Sequence, residues 1–215
     1  MKTIVEKIKE EKIIAIVRGL SGEGIIRTAQ ALRKGGVTFI EVTFNQSSAS
    51  CLEDTYEAIR LISKEIPDIC AGAGTVVNIE QVETAWRAGA KYIISPDFNE
   101  GVVNRTLELG MLSMPGALTP TEIAKAYKAG AAFVKVFPAS NLGPDYIKAI
   151  KSPLNHIPLL AVGGISDSNM EQFYKAGASG FGIGGNLVDK KLIDAGDFEA
   201  VTRMAKRYME IVSRL

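Results

Sequence analysis

Short continuous apolar runs alternate with longer amphipathic stretches along the whole chain. Eight runs read as strands, at 13–17, 38–42, 69–73, 92–95, 112–114, 133–137, 158–162 and 180–184. Apolar runs of this length without polar alternation suit parallel strands buried on both faces. Between them apolar positions recur at helical spacing over 22–34, 50–64, 79–87, 100–108, 120–128, 144–150, 167–175 and 198–213. The opening segment 1–9 mixes charge with Ile and Val and reads as a short amphipathic helix.

A repeated punctuation joins these elements. Lys34-Gly35-Gly36-Val37, Arg87-Ala88-Gly89-Ala90, Lys128-Ala129-Gly130-Ala131 and Lys175-Ala176-Gly177-Ala178 each end a helical pattern in a glycine turn followed by an apolar run, and Leu109-Gly110-Met111 is a weaker copy. Glycine accepts the left-handed conformation that closes a helix, and a cation in the last turn meets the negative helix end. Thr119-Pro120-Thr121-Glu122 and Ser166-Asp167-Ser168-Asn169 carry helix-start chemistry. Eight strand–helix units in 215 residues, about 27 residues each, predict a single (β/α)8 TIM barrel over 1–215 with a short N-terminal helix. The alternative is a doubly wound open sheet, but Arg18-Gly19-Leu20-Ser21-Gly22 after the first strand lacks its G-x-G-x-x-G turn.

Composition narrows the partners. With 47% hydrophobic residues the chain can bury a sizeable core, and a formal net charge of +1 offers no broad field for nucleic acid or an acidic membrane. Cys51 and Cys70 are too few for a disulfide framework and have no metal-ligand spacing, which suits a reducing compartment. The N-terminus lacks signal-peptide character and no apolar run approaches a membrane span, so the expected location is cytoplasmic. No linker or low-complexity tract divides the chain.

The chemistry of a barrel gathers at the C-terminal ends of its strands. The residues there are Arg18, Glu41, Thr43, Asn45, Thr75, Pro96, Lys135, Phe137, Gly163, Gly164, Gly184, Gly185 and Asn186. Lys135 lies inside an apolar strand, Phe133-Val134-Lys135-Val136-Phe137. Either it snorkels to a solvated face, or it projects into the closed barrel, where desolvation leaves a neutral amine able to form a Schiff base. Glu41, the one carboxylate embedded late in an apolar strand, is either a proton carrier beside that lysine or a structural ion pair with Arg18 or Lys135. Thr75, after Gly72-Ala73-Gly74, stands where a ligand approaches the backbone or where the chain simply turns. Gly163-Gly164 and Gly184-Gly185 follow the last two strands, the usual place for a barrel to hold phosphate, and the Asn186 amide adds a potential donor. His156 falls on the entry to a strand, away from that end. Trp86 and Tyr92 read as packing residues, and no cluster has metal spacing.

Glu41-Val42-Thr43, Gly72-Ala73-Gly74-Thr75-Val76, Ile94-Ser95-Pro96, Met114-Pro115-Gly116, Lys135-Val136-Phe137-Pro138-Ala139 and Gly163-Gly164-Ile165 together resemble the class I aldolases that cleave 2-keto-3-deoxy-6-phosphogluconate. The 6-phosphogalactonate and 4-hydroxy-2-oxoglutarate aldolases share the pattern. The likeness runs from about Ile13 to Val188. It implies a homotrimeric (β/α)8 barrel that releases pyruvate and glyceraldehyde 3-phosphate from a phosphorylated keto-deoxy sugar acid, with no cofactor beyond the covalent Schiff base. On this chain it implies Lys135 as the Schiff-base lysine and Glu41 as general acid/base. Thr75 would contact the pyruvyl carboxylate, Phe137 would pack on the ketoacid, and Gly163, Gly164 and the Gly184-Gly185-Asn186 turn would hold phosphate. Arg18 resembles an arginine that meets polar substrate oxygens.

Three positions depart from that pattern. Asn45 stands where some members have Arg, Asn186 where many have Ser or Thr, and Val162 where several gluconate-specific members have Thr. Val162 and Asn45 resemble the galactonate-specific branch, so C4 epimer preference is open. Two other readings of the same barrel remain: a phosphosugar epimerase or isomerase using Glu41 without a covalent adduct, and a noncatalytic phosphometabolite-binding protein.

Overall fold

The computed structural model of the chain describes residues 2–215, so Met1, the first residue of the expected N-terminal helix, lies outside it. Helix α1 (Ile4–Glu11) starts at Thr3, whose hydroxyl accepts from the Glu6 N–H while the Glu6 carboxylate returns to the Thr3 N–H. The strands are β1 (Ile13–Val17), β2 (Phe39–Thr43), β3 (Cys70–Gly74), β4 (Tyr92–Ile94), β5 (Leu112–Met114), β6 (Gly116–Ala117), β7 (Val134–Val136), β8 (Leu159–Val162) and β9 (Gly180–Ile183). All pairings are parallel, in the order β5-β4-β3-β2-β1-β9-β8-β7-β6.

The ninth segment comes from a break, not from an extra unit. Pro115 has no N–H to give a ladder and separates β5 from β6. The first half pairs with β4 and the second with β7, while Ala132 N–H donates to Ser113 O and Lys135 N–H to Pro115 O, each at 2.9 Å. The fifth strand therefore closes the ring, as the eight-unit barrel requires.

Helices α2 (Gly22–Lys34), α3 (Cys51–Glu65), α4 (Ile79–Arg87), α5 (Glu100–Glu108), α6 (Pro120–Lys128), α7 (Gly143–Lys151), α8 (Met170–Lys175) and α10 (Phe198–Val212) follow the expected stretches. The repeated glycine turns close them as anticipated: Gly36, Gly89, Gly110, Gly130 and Gly177 all have positive φ, from 74° to 105°. The Thr119–Glu122 capping box forms. Helix α8 starts later than expected, after a turn in which the Asn169 side chain accepts from Ser166 N–H and donates to Gly164 O. The five-residue helix α9 (Lys190–Asp194) has no counterpart among the expected stretches; it is too short to show a period.

Two packed layers result. One cluster fills the barrel: Ile14, Ile16, Phe39, Tyr92, Ile94, Met114, Phe133, Leu160 and Val162, with Ile8 of α1 joining it. The other lies between sheet and helices. Within a strand the two alternate, so Phe39 and Phe133 point inward while Ile40 and Val134 point outward. The same period sends Glu41 and Lys135 inward. Tyr92 is core as expected, but Trp86 is not: at 48% exposed it stands on the outer face of α4, since the sheet-facing positions there are Gln81, Val82, Thr84 and Ala85. His156 is exposed and stacks edge-on with Tyr127. Among the described residues no helix is long and apolar enough to cross a membrane.

Candidate active site

A cavity of about 370 Å³ opens at the C-terminal ends of the strands. Arg18, Thr75, Pro96, Lys135, Phe137, Val162, Gly163, Gly164, Gly184, Gly185 and Asn186 all line it, together with Ile16, Ile165 and Gly182. Residues from Ile16 to Asn186 thus converge because each lies late in a strand or in the turn after it.

Lys135 is 4% exposed and reaches the cavity from inside the ring, which rules out the snorkelling alternative. Its Nζ lies 4.9 Å from the centroid of the Phe137 ring. Burial holds the amine below the usual lysine range; Glu41 opposes that shift and Arg18 adds to it. Glu41, 1% exposed, does not line the cavity but sits beneath it on the inward face of β2. Burial pushes its carboxyl up, against the pull of Lys135 and Arg18. Both of its oxygens lack a hydrogen-bond partner. Neither Lys135 nor Arg18 hydrogen-bonds to it, so the structural ion pair with either residue is not formed. Burial drives the two groups toward neutral amine and neutral acid, the forms needed for attack on a carbonyl and proton donation to it.

The inward positions of β3 are glycines for a spatial reason. A Cβ on Gly72 would fall on the Tyr92 ring, and a Cβ on Gly74 would fall on the Glu41 carboxylate. The bareness of Cys70-Ala71-Gly72-Ala73-Gly74 is therefore room made for neighbours. Thr75 follows with φ 57°, a left-handed conformation that a β-branched residue rarely adopts.

Both glycine pairs line the cavity. Gly163 and Gly164 have φ 93° and 72°, and a side chain on Gly164 would strike Ser140 Oγ. Asn186 lines the cavity, and one of the two N–H groups on its Nδ2 donates to Ile165 O at 2.8 Å, tying one glycine turn to the other. The buried Tyr208 of α10 reinforces the tie, its hydroxyl accepting from Asp167 N–H at 3.1 Å and donating to Asn186 O at 3.4 Å. Asn45 is the one expected substrate-contacting residue outside the cavity lining. It is exposed, and its Oδ1 accepts from Ser47 N–H at 3.2 Å in a local turn.

Some residues in and around the cavity are not singled out by the sequence. Ile16 and Gly182 resemble any strand residue. Gln81 carried a signal, a polar side chain on the apolar stripe of its helix, where it is 2% exposed. Tyr208 gave none, since a tyrosine on the inner face of a helix is ordinary core.

Comparison with known proteins agrees with this geometry. A family model described as KDPG and KHG aldolase matches residues 4–204. The 2-dehydro-3-deoxy-phosphogluconate aldolase of Treponema pallidum is 36% identical over 99% of both chains. The 2-dehydro-3-deoxy-6-phosphogalactonate aldolase of Escherichia coli K12 is 36% identical over 81% of this chain and 83% of its own. A solved structure described as native KDPGal superposes with a TM-score of 0.83 at 30% identity, covering 94% of this chain and 96% of that one. A barrel with an amine on its inner wall, an unpartnered acid beneath it and paired glycine turns beside it, matched by that family model over nearly its whole length, belongs to the KDPG and KHG aldolase family.

Proposed function

We propose that this aldolase cleaves 2-dehydro-3-deoxy-6-phosphogluconate to pyruvate and glyceraldehyde 3-phosphate through a Schiff base on Lys135. The observation that carries the reading is the buried amine at the cavity wall with the unpartnered acid of Glu41 below it. The neutral amine of Lys135 adds to the C2 carbonyl, and the resulting carbinolamine loses its hydroxyl as water on a proton from Glu41. The C3–C4 bonding pair then moves into the protonated imine to give an enamine, while the Glu41 carboxylate or its water takes the C4 hydroxyl proton. Reprotonation at C3 and hydrolysis release pyruvate and restore the amine. Phe137 packs on the ketoacid, Thr75 takes its carboxylate and Arg18 its polar oxygens, with Pro96 completing the wall. The Gly163-Gly164 and Gly184-Gly185 turns hold the phosphate by backbone N–H groups, so remote binding orients the reacting end.

The galactonate epimer is the second reading, supported by Val162, an apolar side chain in the cavity wall where a threonine hydroxyl would otherwise meet substrate. Retro-aldol rates on the two C4 epimers test both readings. A preference for the gluconate series supports the first, a preference for the galactonate series the second, and no cleavage of either overturns both. The epimerase and noncatalytic readings predict no aldehyde product from either sugar.

A homotrimer is proposed on the family resemblance and on apolar side chains left on the outer ring, Ile79 and Trp86 on α4 and Leu107 on α5. Light scattering on the native protein and on Trp86→Glu tests it. A cytoplasmic setting is proposed on the two free cysteines.

A further inference from the structure

Among the described residues only Lys12 and Thr75 are non-glycine residues with positive φ, and only Thr75 is β-branched. Such a conformation persists where the surroundings over-determine it. Here a chain of side-chain amides does so. Gln46 Nε2 donates to Thr75 O at 2.7 Å, and Gln81 Nε2 donates to Gln46 Oε1 at 2.9 Å. Gln81 Oε1 in turn accepts from Val77 N–H at 2.8 Å, while its own N–H is held by the Asn78 cap.

The direction of this chain is forced at both ends. Val77 N–H can only donate, so Gln81 must turn its oxygen to it and its NH2 toward Gln46. Thr75 C=O can only accept, so Gln46 must turn its NH2 to it and its oxygen toward Gln81. The two demands agree, and one orientation of each amide satisfies every link. Gln81 is fixed by burial on α4, Gln46 bridges from the turn after β2, and neither lines the cavity. Thr75 does.

We propose that Gln46 and Gln81 are positioning residues that hold Thr75 in its left-handed conformation and thereby set the affinity of the site for the substrate carboxylate. The proposal rests on the aldolase reading above, in which Thr75 receives that carboxylate. Neither glutamine touches substrate; each acts through the carbonyl of the strained residue.

The test isolates the ketoacid end by following deuterium exchange into the methyl group of pyruvate, which passes through the enamine and needs no phosphate. Gln46→Met is the principal variant, being exposed, neutral and of similar length, but unable to donate. The half-saturating pyruvate concentration is expected to rise about five- to tenfold, one lost hydrogen bond's worth, with the limiting rate within about twofold. Inhibition by inorganic phosphate should not change. In a Thr75→Gly background, where φ 57° carries no strain, the same substitution should shift half-saturation by less than about twofold. Gln81→Met should move half-saturation in the same direction as Gln46→Met. An unchanged half-saturation in Gln46→Met, or an equal shift in the Thr75→Gly background, overturns the proposal. Wild-type protein that exchanges no deuterium overturns the aldolase reading itself, a distinct result seen before any variant is compared.

Discussion

Gly74 on β3 and Glu41 on β2 share one space inside the barrel: the Glu41 carboxylate occupies the volume that a side chain on Gly74 would take. The register makes this possible, since Glu41 pairs with Gly72 and Thr43 with Gly74, placing the carboxylate beside both bare positions. A glycine that carries no chemistry of its own thus fixes where the acid sits.

Gly74→Ala should therefore displace the carboxylate and lower kcat, by about a hundredfold if the shift reaches an ångström. Its backbone lies outside the left-handed region, so no gain or loss from φ obscures the result. Steady-state kinetics check this, with KM for the phosphorylated substrate expected to hold because the glycine turns are untouched.

The pH dependence of adduct formation follows from the charges around Lys135. Burial lowers the amine's pKa, Glu41 raises it and Arg18 lowers it. Reactivity should rise with pH through that lowered value and level off short of the ordinary lysine range. Arg18→Gln removes a depressing charge, so the acidic limb should move to higher pH; Glu41→Gln removes a raising one and should move it lower. Rates of imine formation with pyruvate across pH measure both, and a shift of the opposite sign in either variant contradicts the assignment.

Stability carries the complementary signature. The depressed pKa of Lys135 means that the folded state binds fewer protons there than the unfolded chain, so stability is lost as pH falls from the lysine range toward the depressed value. The raised pKa of Glu41 means that its contribution is complete below the ordinary carboxylate range and is lost as pH rises through the raised value. At neutral pH both groups weigh against the fold. Replacing them together, as Lys135→Met with Glu41→Leu, should stabilise the inactive protein by about 1–4 kcal/mol in urea unfolding at pH 7.

Tyr208 and Asn186 bind the two glycine turns to each other, and burial pushes the Tyr208 hydroxyl up to about 12, so it remains a donor at neutral pH. Tyr208→Phe should raise KM for the phosphorylated substrate about three- to tenfold while leaving kcat/KM for unphosphorylated 4-hydroxy-2-oxoglutarate within about twofold. An equal loss on both substrates would mean a general disturbance of the barrel instead.

Periodicity carried most of the fold because parallel strands and their covering helices write distinct patterns. What it missed were features with no period: the break at Pro115, where the two half-strands read as one strand and a turn, and the five-residue helix α9. Lys135 and Glu41 were visible as charges in apolar strands, and the glycine pairs by position. The placement of Asn45 outside the cavity was not visible, because a polar residue after a strand turns inward or outward according to a loop conformation that composition does not determine. Nor was the tie between the glycine turns visible, in which one amide N–H of Asn186 donates to Ile165 O.

The most direct measurement incubates the protein with pyruvate, reduces with borohydride and maps the modified residue by peptide mass spectrometry. One stable reduced pyruvyl adduct is expected, on Lys135, absent from Lys135→Ala. No adduct, or an adduct on a surface lysine with Lys135 unmodified, would contradict a Schiff base on Lys135.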